Sequence, residues 1–240
     1  IMLKKALVTG SSSGIGKAIA LDLAAKGFDV AFHCHKSVEA CNQARQEAAK
    51  YGVRTVTLQA DLRNPEQAEF LVNSAAEELG GLSVVVNNVG NYLDRPTSQL
   101  SVEEWHEIIH SNLHATFYVT KAALPYLKAA NGGRIVNIGC AGAQNLLARY
   151  TNTPYLIAKT GIIIYSRSLA KEVITDNITV NVVSPGIAEN SFDLQESLPE
   201  LPTKRPATLQ ELAHAAWFFI SPESDYITGQ VLDVSGGWRL

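Results

Sequence analysis

Short apolar runs alternate with longer stretches of helical period along the whole chain. Ala6-Leu7-Val8 is a compact apolar run, followed by Ile15 to Ala25, where Ile15, Ala18, Ile19, Leu21, Leu23 and Ala24 recur as on a largely buried helix. Asp29-Val30-Ala31-Phe32 comes next, then an Ala/Gln/Glu-rich helical stretch from Ser37 to Tyr51 that Gly52 stops. Val53 to Gln59 alternates as a strand does. Asn64-Pro65-Glu66-Gln67 carries a cap, a first-turn proline and an acceptor three residues on, the signature of a helix start. Leu82 to Val86 is continuously apolar, as in a strand covered on both faces. Ser101-Val102-Glu103-Glu104 and Thr208-Leu209-Gln210-Glu211 each open a helix with a capping box. Arg134 to Ile138, Ile178 to Val183 and Gln230 to Val234 read as further strands, with a long helix from Pro154 to Val173 between the first two.

Seven strands alternating with helices predict one doubly wound α/β domain over 1–240, its seven-stranded sheet mostly parallel and covered by helices on both faces. There is no internal repeat and no linker. Gly186 to Ala207 lacks periodicity, contains three prolines and follows a strand, so it is expected to be a lid over the crevice at the carboxyl ends of the strands.

Composition narrows the function classes. With 20 Lys and Arg against 23 Asp and Glu, the net charge of −3 shows no basic excess of the kind that greets nucleic acid. The longest apolar runs, Val84–Val86 and Ala215–Ile220, are far short of the ~20 residues needed to span a bilayer. No signal-peptide pattern precedes the first strand. The cysteines Cys34, Cys41 and Cys140 have neither CxxC nor zinc spacing, so reduced thiols, no metal and a cytoplasmic setting are expected.

Thr9-Gly10-Ser11-Ser12-Ser13-Gly14-Ile15-Gly16 joins the first strand to the first helix. Its glycines let backbone approach a pyrophosphate, and the helix N-terminus offers unpaired N–H groups. The spacing is G-x3-G-x-G. In this the chain resembles the short-chain dehydrogenase/reductase family, whose loop is TGxxxGxG. The resemblance continues through Asn87-Asn88-Val89-Gly90 (NNAG in the family), Asn112, Tyr155-Leu156-Ile157-Ala158-Lys159 (YxxxK), Ser184-Pro185-Gly186, and Gly229-Gln230 with Gly236-Gly237. It implies a Rossmann fold binding a nicotinamide dinucleotide. It also implies cofactor contacts at Gly10, Ser12, Ser13, Gly14, Ile15 and Gly16, at Asp61 and Leu62 near the adenine, at Asn88 and Gly90, and at Pro185, Gly186 and Ile187. Tyr155 and Lys159 would meet the nicotinamide ribose.

Which dinucleotide is an electrostatic question. The second strand ends in Phe32-His33-Cys34-His35-Lys36-Ser37, with no carboxylate until Glu39. NAD enzymes usually place a carboxylate there for the ribose 2′-OH. His33, His35, Lys36 and Ser37 instead suit a 2′-phosphate, so NADP(H) is the expected cofactor. Relatives using NADP often carry Arg or Lys at the position of Ser13, which this chain does not.

Tyr155 and Lys159 lie four apart, on one helical face. A phenol of pKa near ~10 is a poor acid–base group at neutral pH, and a nearby ammonium is expected to lower it. The resemblance assigns Tyr155 as proton donor during hydride transfer, Lys159 to the ribose, and Asn112 to a water linking Lys159 to solvent. The family's catalytic serine stands 13 residues before the tyrosine, where this chain has Gly142. A short insertion between Ala143 and Thr153 would put Cys140 in its place, with a thiol donating more weakly than a hydroxyl.

Two sub-resemblances remain for the substrate. The overall pattern is like the 3-oxoacyl-carrier-protein reductases, with acyl carrier protein as a partner. His33–Ala40 and Leu146–Thr151 look like pteridine reductases. The missing serine also admits a non-catalytic NADP-binding regulator. Finally, family members mostly pair through helices corresponding to Ser111–Ala130 and Pro154–Val173. Leu113, Phe117, Val119, Ala122, Leu124, Ile162, Ile163, Ile164 and Leu169, with the terminal Trp238 and Leu240, supply apolar surface for a homodimer or homotetramer.

Overall fold

A computed structural model describes residues 3–239. In chain order the elements are β1 Lys5–Val8, α1 Gly14–Ala25, β2 Asp29–Cys34, α2 Val38–Ala49, β3 Thr55–Gln59, α3 Pro65–Leu79 and β4 Val84–Asn87. The second half continues with α4 Val102–Ile109, α5 Ala115–Ala129, β5 Gly133–Ile138, α6 Thr153–Val173, β6 Ile178–Pro185, α7 Leu194–Ser197, α8 Leu209–Ile220 and β7 Val231–Val234. The seven strands form one sheet in the order β3-β2-β1-β4-β5-β6-β7, and every pairing is parallel. The doubly wound α/β expectation holds, and the sheet is wholly parallel.

Strand alternation divides the core into two layers. Ala6 and Val8 of β1 face one side with Ile19, Leu23, Phe28, Phe32 and Phe219; Leu7 faces the other with Leu71, Leu127, Ile135 and Val180. Helices α1, α2 and α8 therefore cover the first face, and α3, α5 and α6 the second. The helix starts form as their sequences predict: Asn64 Oδ1 accepts from Gln67 N at 3.0 Å, and Ser101 and Thr208 close capping boxes. Among the described residues no helix is long and apolar enough to cross a membrane.

Four expectations need correction. The stretch Ser111–Ala130 is not one regular helix, because a wide π turn at His110–His114 joins α4 to α5 and holds Asn112. The lid is partly regular: it forms α7, and Ala188 pairs with Ala207 at its base. Trp238 is not surface material, being buried beneath the lid with Ala141, Ile187 and Leu201. Val119, Ile162, Ile163 and Leu169 belong to this chain's own core, while Phe117 and Ile164 remain 40% and 62% exposed. Leu240 lies outside the described residues.

Candidate active site

β1 and β4 are neighbours whose connections leave toward opposite ends of the sheet, so a crevice opens beyond their carboxyl ends. Thr9 Oγ1 accepts from Asn88 N at 2.9 Å, and Asn88 Nδ2 donates to the carbonyls of Thr9 and Gly10 at 3.1 and 3.0 Å. Gly10 (φ +62°) and Gly14 (φ +55°) use left-handed backbone, and a Cβ on Gly16 would collide with the Gly10 carbonyl. Ser13 at the start of α1 makes no side-chain cap, which leaves the first N–H groups of that helix facing the crevice. These are the features of a phosphate cradle.

His33 holds this loop down from within the wall of a side chamber. Its Nδ1 accepts from Gly10 N at 3.0 Å, its Nε2 pairs with the Ala60 carbonyl at 3.1 Å, and its own N–H donates to Ser11 Oγ at 2.9 Å. Both ring nitrogens are engaged, with the proton on Nε2, and burial lowers the pKa to about 4. His33 lines a side chamber of the crevice with both ring nitrogens already committed to the protein. His35, Lys36 and Ser37 stand exposed at the rim of the same side chamber, with Ser12, Asp61 and Leu62 on its wall. Arg63, which the sequence reading missed, grips Asp61 through Nε at 2.8 Å and Nη2 at 2.5 Å, and reaches Glu107 at 2.5 Å. Hydrogen bonding from Arg63 holds the Asp61 carboxyl down at about 2.

A cavity of about 360 Å³ joins the phosphate loop to the carboxyl ends of β5 and β6. Gly10, Ser13, Gly14, Ile15, Asn88, Gly90, Cys140, Tyr155, Lys159, Pro185, Gly186 and Ile187 all line it. Cys140 shares this wall with Tyr155, whereas Gly142 is buried outside it with a left-handed φ of +75°. Lys159 donates from Nζ to the Ile138 carbonyl at 2.8 Å, and burial depresses its pKa to about 8. Its ammonium lies 5.4 Å from the centre of the Tyr155 ring. Tyr155 is not lowered as expected. Burial and then the nearby Cys140 push its hydroxyl up, because removal from water penalises the phenolate more than any neighbouring cation favours it.

Among the described residues Asn112 makes no direct hydrogen bond to Lys159. Its Nδ2 donates to the carbonyls of Asn91 and Ile108 at 2.9 Å each, and its buried Oδ1 has no hydrogen-bond partner among the described residues. A Cβ on Gly90 would strike that oxygen, so Gly90 and Asn112 require each other. Asn112 and Gly16 are the two expected site residues that stand behind the cavity walls.

Sequence reasoning missed much of the outer wall. Tyr92 packs edge-on to Tyr155 with ring centres 4.9 Å apart and against Phe192 at 5.0 Å, and its hydroxyl accepts from Asn152 at 2.7 Å. Arg149, Asn190, Asp193, Trp238 and Arg239 complete the lining. They come from the loop before α6, the lid and the chain end, and no local pattern marks them. The one available signal was Arg149 in the run Leu146–Thr151.

Residues 10–239 match the family model described as enoyl-(acyl carrier protein) reductase. The chain belongs to the short-chain dehydrogenase/reductase family. It is 35% identical to a 3-oxoacyl-(acyl-carrier-protein) reductase of Vibrio cholerae, over 99% of this chain and 98% of that protein. A short chain dehydrogenase from Burkholderia cenocepacia, solved in complex with NADP, superposes with a TM-score of 0.92 at 30% identity, covering 98% of each chain. A blue fluorescent protein from a metagenomic library, in complex with NADPH, gives a TM-score of 0.92 at 31% identity over 99% of this chain and 98% of that one.

The buried His33 makes a pH prediction. Its folded pKa of about 4 lies below the unfolded 6.5, so the unfolded chain binds more protons between these values. Stability from this group is complete above pH 6.5 and is lost as pH falls toward 4, by roughly 3 kcal/mol. Melting temperature followed from pH 7 to 4 should show this loss, and His33→Gln should flatten it.

Proposed function

We propose that the chain is an NADPH-dependent reductase of carbonyl compounds, most like a 3-oxoacyl-(acyl-carrier-protein) reductase, with Tyr155 as proton donor. The observation that carries this reading is the single cavity shared by the glycine loop at the head of α1 and the Tyr155–Lys159 pair. The residues fit a dinucleotide: the glycine cradle leaves no room for a Cβ at Gly16, and the α1 N-terminus is free for a pyrophosphate. Gly10 to Gly16 would hold the phosphates, Asp61 and Leu62 the adenosine end, and Pro185 to Ile187 the nicotinamide end. When bound, the cofactor supplies hydride.

The chain's own residues handle the proton. Burial keeps the Tyr155 hydroxyl protonated at neutral pH, which suits a group that must give up a proton as an alkoxide forms. Lys159, held on the Ile138 carbonyl, is placed to replenish it. Cys140 takes the position of a donor to the substrate carbonyl, and Tyr92 and Phe192 help to exclude water. At the rim, Arg63 neutralises Asp61, so that Lys36 presents its positive charge toward a 2′-phosphate, with His35 and Ser37 beside it.

NADPH should therefore bind at least tenfold tighter than NADH, ~1.4 kcal/mol, and Lys36→Ala should erode that preference through NADPH affinity. Calorimetric titration reads both, and equal affinities would remove the phosphate argument. Tyr155→Phe should abolish nearly all NADPH oxidation with neutral ketones or acetoacetyl thioesters while leaving cofactor affinity close to unchanged. Full activity in that variant would disprove the proton relay. Tight cofactor binding with no turnover by the unaltered protein would favour a regulator.

The exposed Phe117, Ile157 and Ile164 on α5 and α6 support assembly into a homodimer or homotetramer. Light scattering should then give a mass of at least twice 25.9 kDa at micromolar concentration, and a single-chain mass would refute it.

A further inference from the structure

Arg149 and Arg239 are 90 residues apart in sequence, yet both line the cavity that holds Tyr155. Each is anchored. Arg149 lies half-buried with Nη2 3.5 Å from the Ala141 carbonyl. Arg239 lies flat on Trp238, its guanidinium carbon 3.6 Å from the ring centre, and Asn145 Nδ2 donates to its backbone carbonyl at 2.9 Å. Trp238 is itself fixed under the lid by Ile187 and Leu201. Trp238 and Arg239, from the segment after β7, are thus built into the site.

Two guanidinium groups at one wall repel each other, and among the described residues neither forms an ion pair with a carboxylate within 4 Å. Asp193, the acidic residue on the same lining, accepts instead from Ser197 Oγ at 3.3 Å. Burial and then the charge of Arg149 press Arg239 toward its neutral form, which Asp193 opposes more weakly and without pairing with it. An arrangement of this kind loses free energy until an anion enters, and the planar fork of arginine matches a carboxylate.

We propose that Arg149 and Arg239 form a carboxylate-binding subsite, and that the substrate is a compact carbonyl compound bearing its own carboxylate. This rests on the reductase reading, which supplies the carbonyl. The anion must fit the chamber that holds the tyrosine, whose volume of about 360 Å³ is small for a ligand cleft. The phosphate of a pantetheine arm sits at the far end of a long chain from its thioester carbonyl and does not meet that condition. Tyr92 and Phe192 offer the facing apolar wall.

Calorimetry on the NADP⁺-loaded protein tests the subsite without turnover, using benzoate and its neutral counterpart benzamide as probes. Benzoate should bind at least about tenfold tighter, and Arg149→Gln and Arg239→Gln should each remove most of that difference. Both variants should keep the unaltered melting temperature and NADPH affinity within about twofold. Equal binding of the two probes, or a preference that survives both variants, overturns the subsite. So does a loss confined to NADPH affinity, which would place the arginines on the cofactor. In turnover, acetoacetate should show a lower KM than ethyl acetoacetate, and the order should reverse in Arg239→Gln. Reduction of the ester with no preference for the acid sinks this inference and leaves the reductase intact. Benzoate held by both arginines with no carbonyl compound reduced keeps the subsite and sinks the reductase reading.

Discussion

Everything at this site depends on how closely three pieces of backbone approach one another beyond the carboxyl end of β1. The Gly10 carbonyl, the α-carbon of Gly16 and the Asn88 amide occupy space that a single added methyl group would fill. Because the approach is that close, Asn88 ties the ends of β1 and β4 together at the point where the sheet changes direction. The start of α1 is thereby aimed into the crevice with its N–H groups unpaired. His33 reinforces the same junction from β2, using each ring nitrogen to join the loop after β1 to the turn after β3. The anion cradle is a consequence of backbone packing, and its charge comes from the peptide units themselves.

Burial then decides the protonation of the side chains around it. Lys159 and Tyr155 stand one helical turn apart, yet desolvation acts on them in opposite directions, easing loss of the lysine proton and tightening retention of the tyrosine proton. Of the two, the lysine is the readier proton donor at neutral pH. Asp61 shows the opposite regime. Its carboxylate sits near the surface with a bidentate arginine, so pairing dominates burial and the charge is kept. The two chambers are therefore tuned by different physics, although the loop at Gly10 borders both.

The outer wall differs in kind from the floor. The floor is made of strand ends whose positions the sheet register dictates. The wall is assembled from a loop, a lid and the chain end, locked by Trp238 and by the pairing of Pro96 with Thr151. Variation on this fold can change the wall without disturbing the floor, so kinship at 35% identity fixes the class of chemistry more firmly than the substrate.

Periodicity alone determined the order of strands and helices, and local chemistry determined their starts, as at Asn64, Ser101 and Thr208. The glycine loop and the Tyr155–Lys159 spacing were legible for the same reason: each is a short-range pattern whose geometry a single turn enforces. Long-range placement was not. Trp238 and the isoleucines of α6 looked like surface for a partner until the lid and the sheet covered most of them. Asn112 fell in a π turn that helical periodicity does not announce. That both ring nitrogens of His33 are committed to the protein was not legible, because their partners lie 23 and 27 residues away. Arg149 and Arg239 share one wall only because the segment after β7 packs against the turn after β5. Sequence carries what neighbours along the chain impose on each other; which charges share a cavity is decided by contacts between segments that only the folded chain brings together.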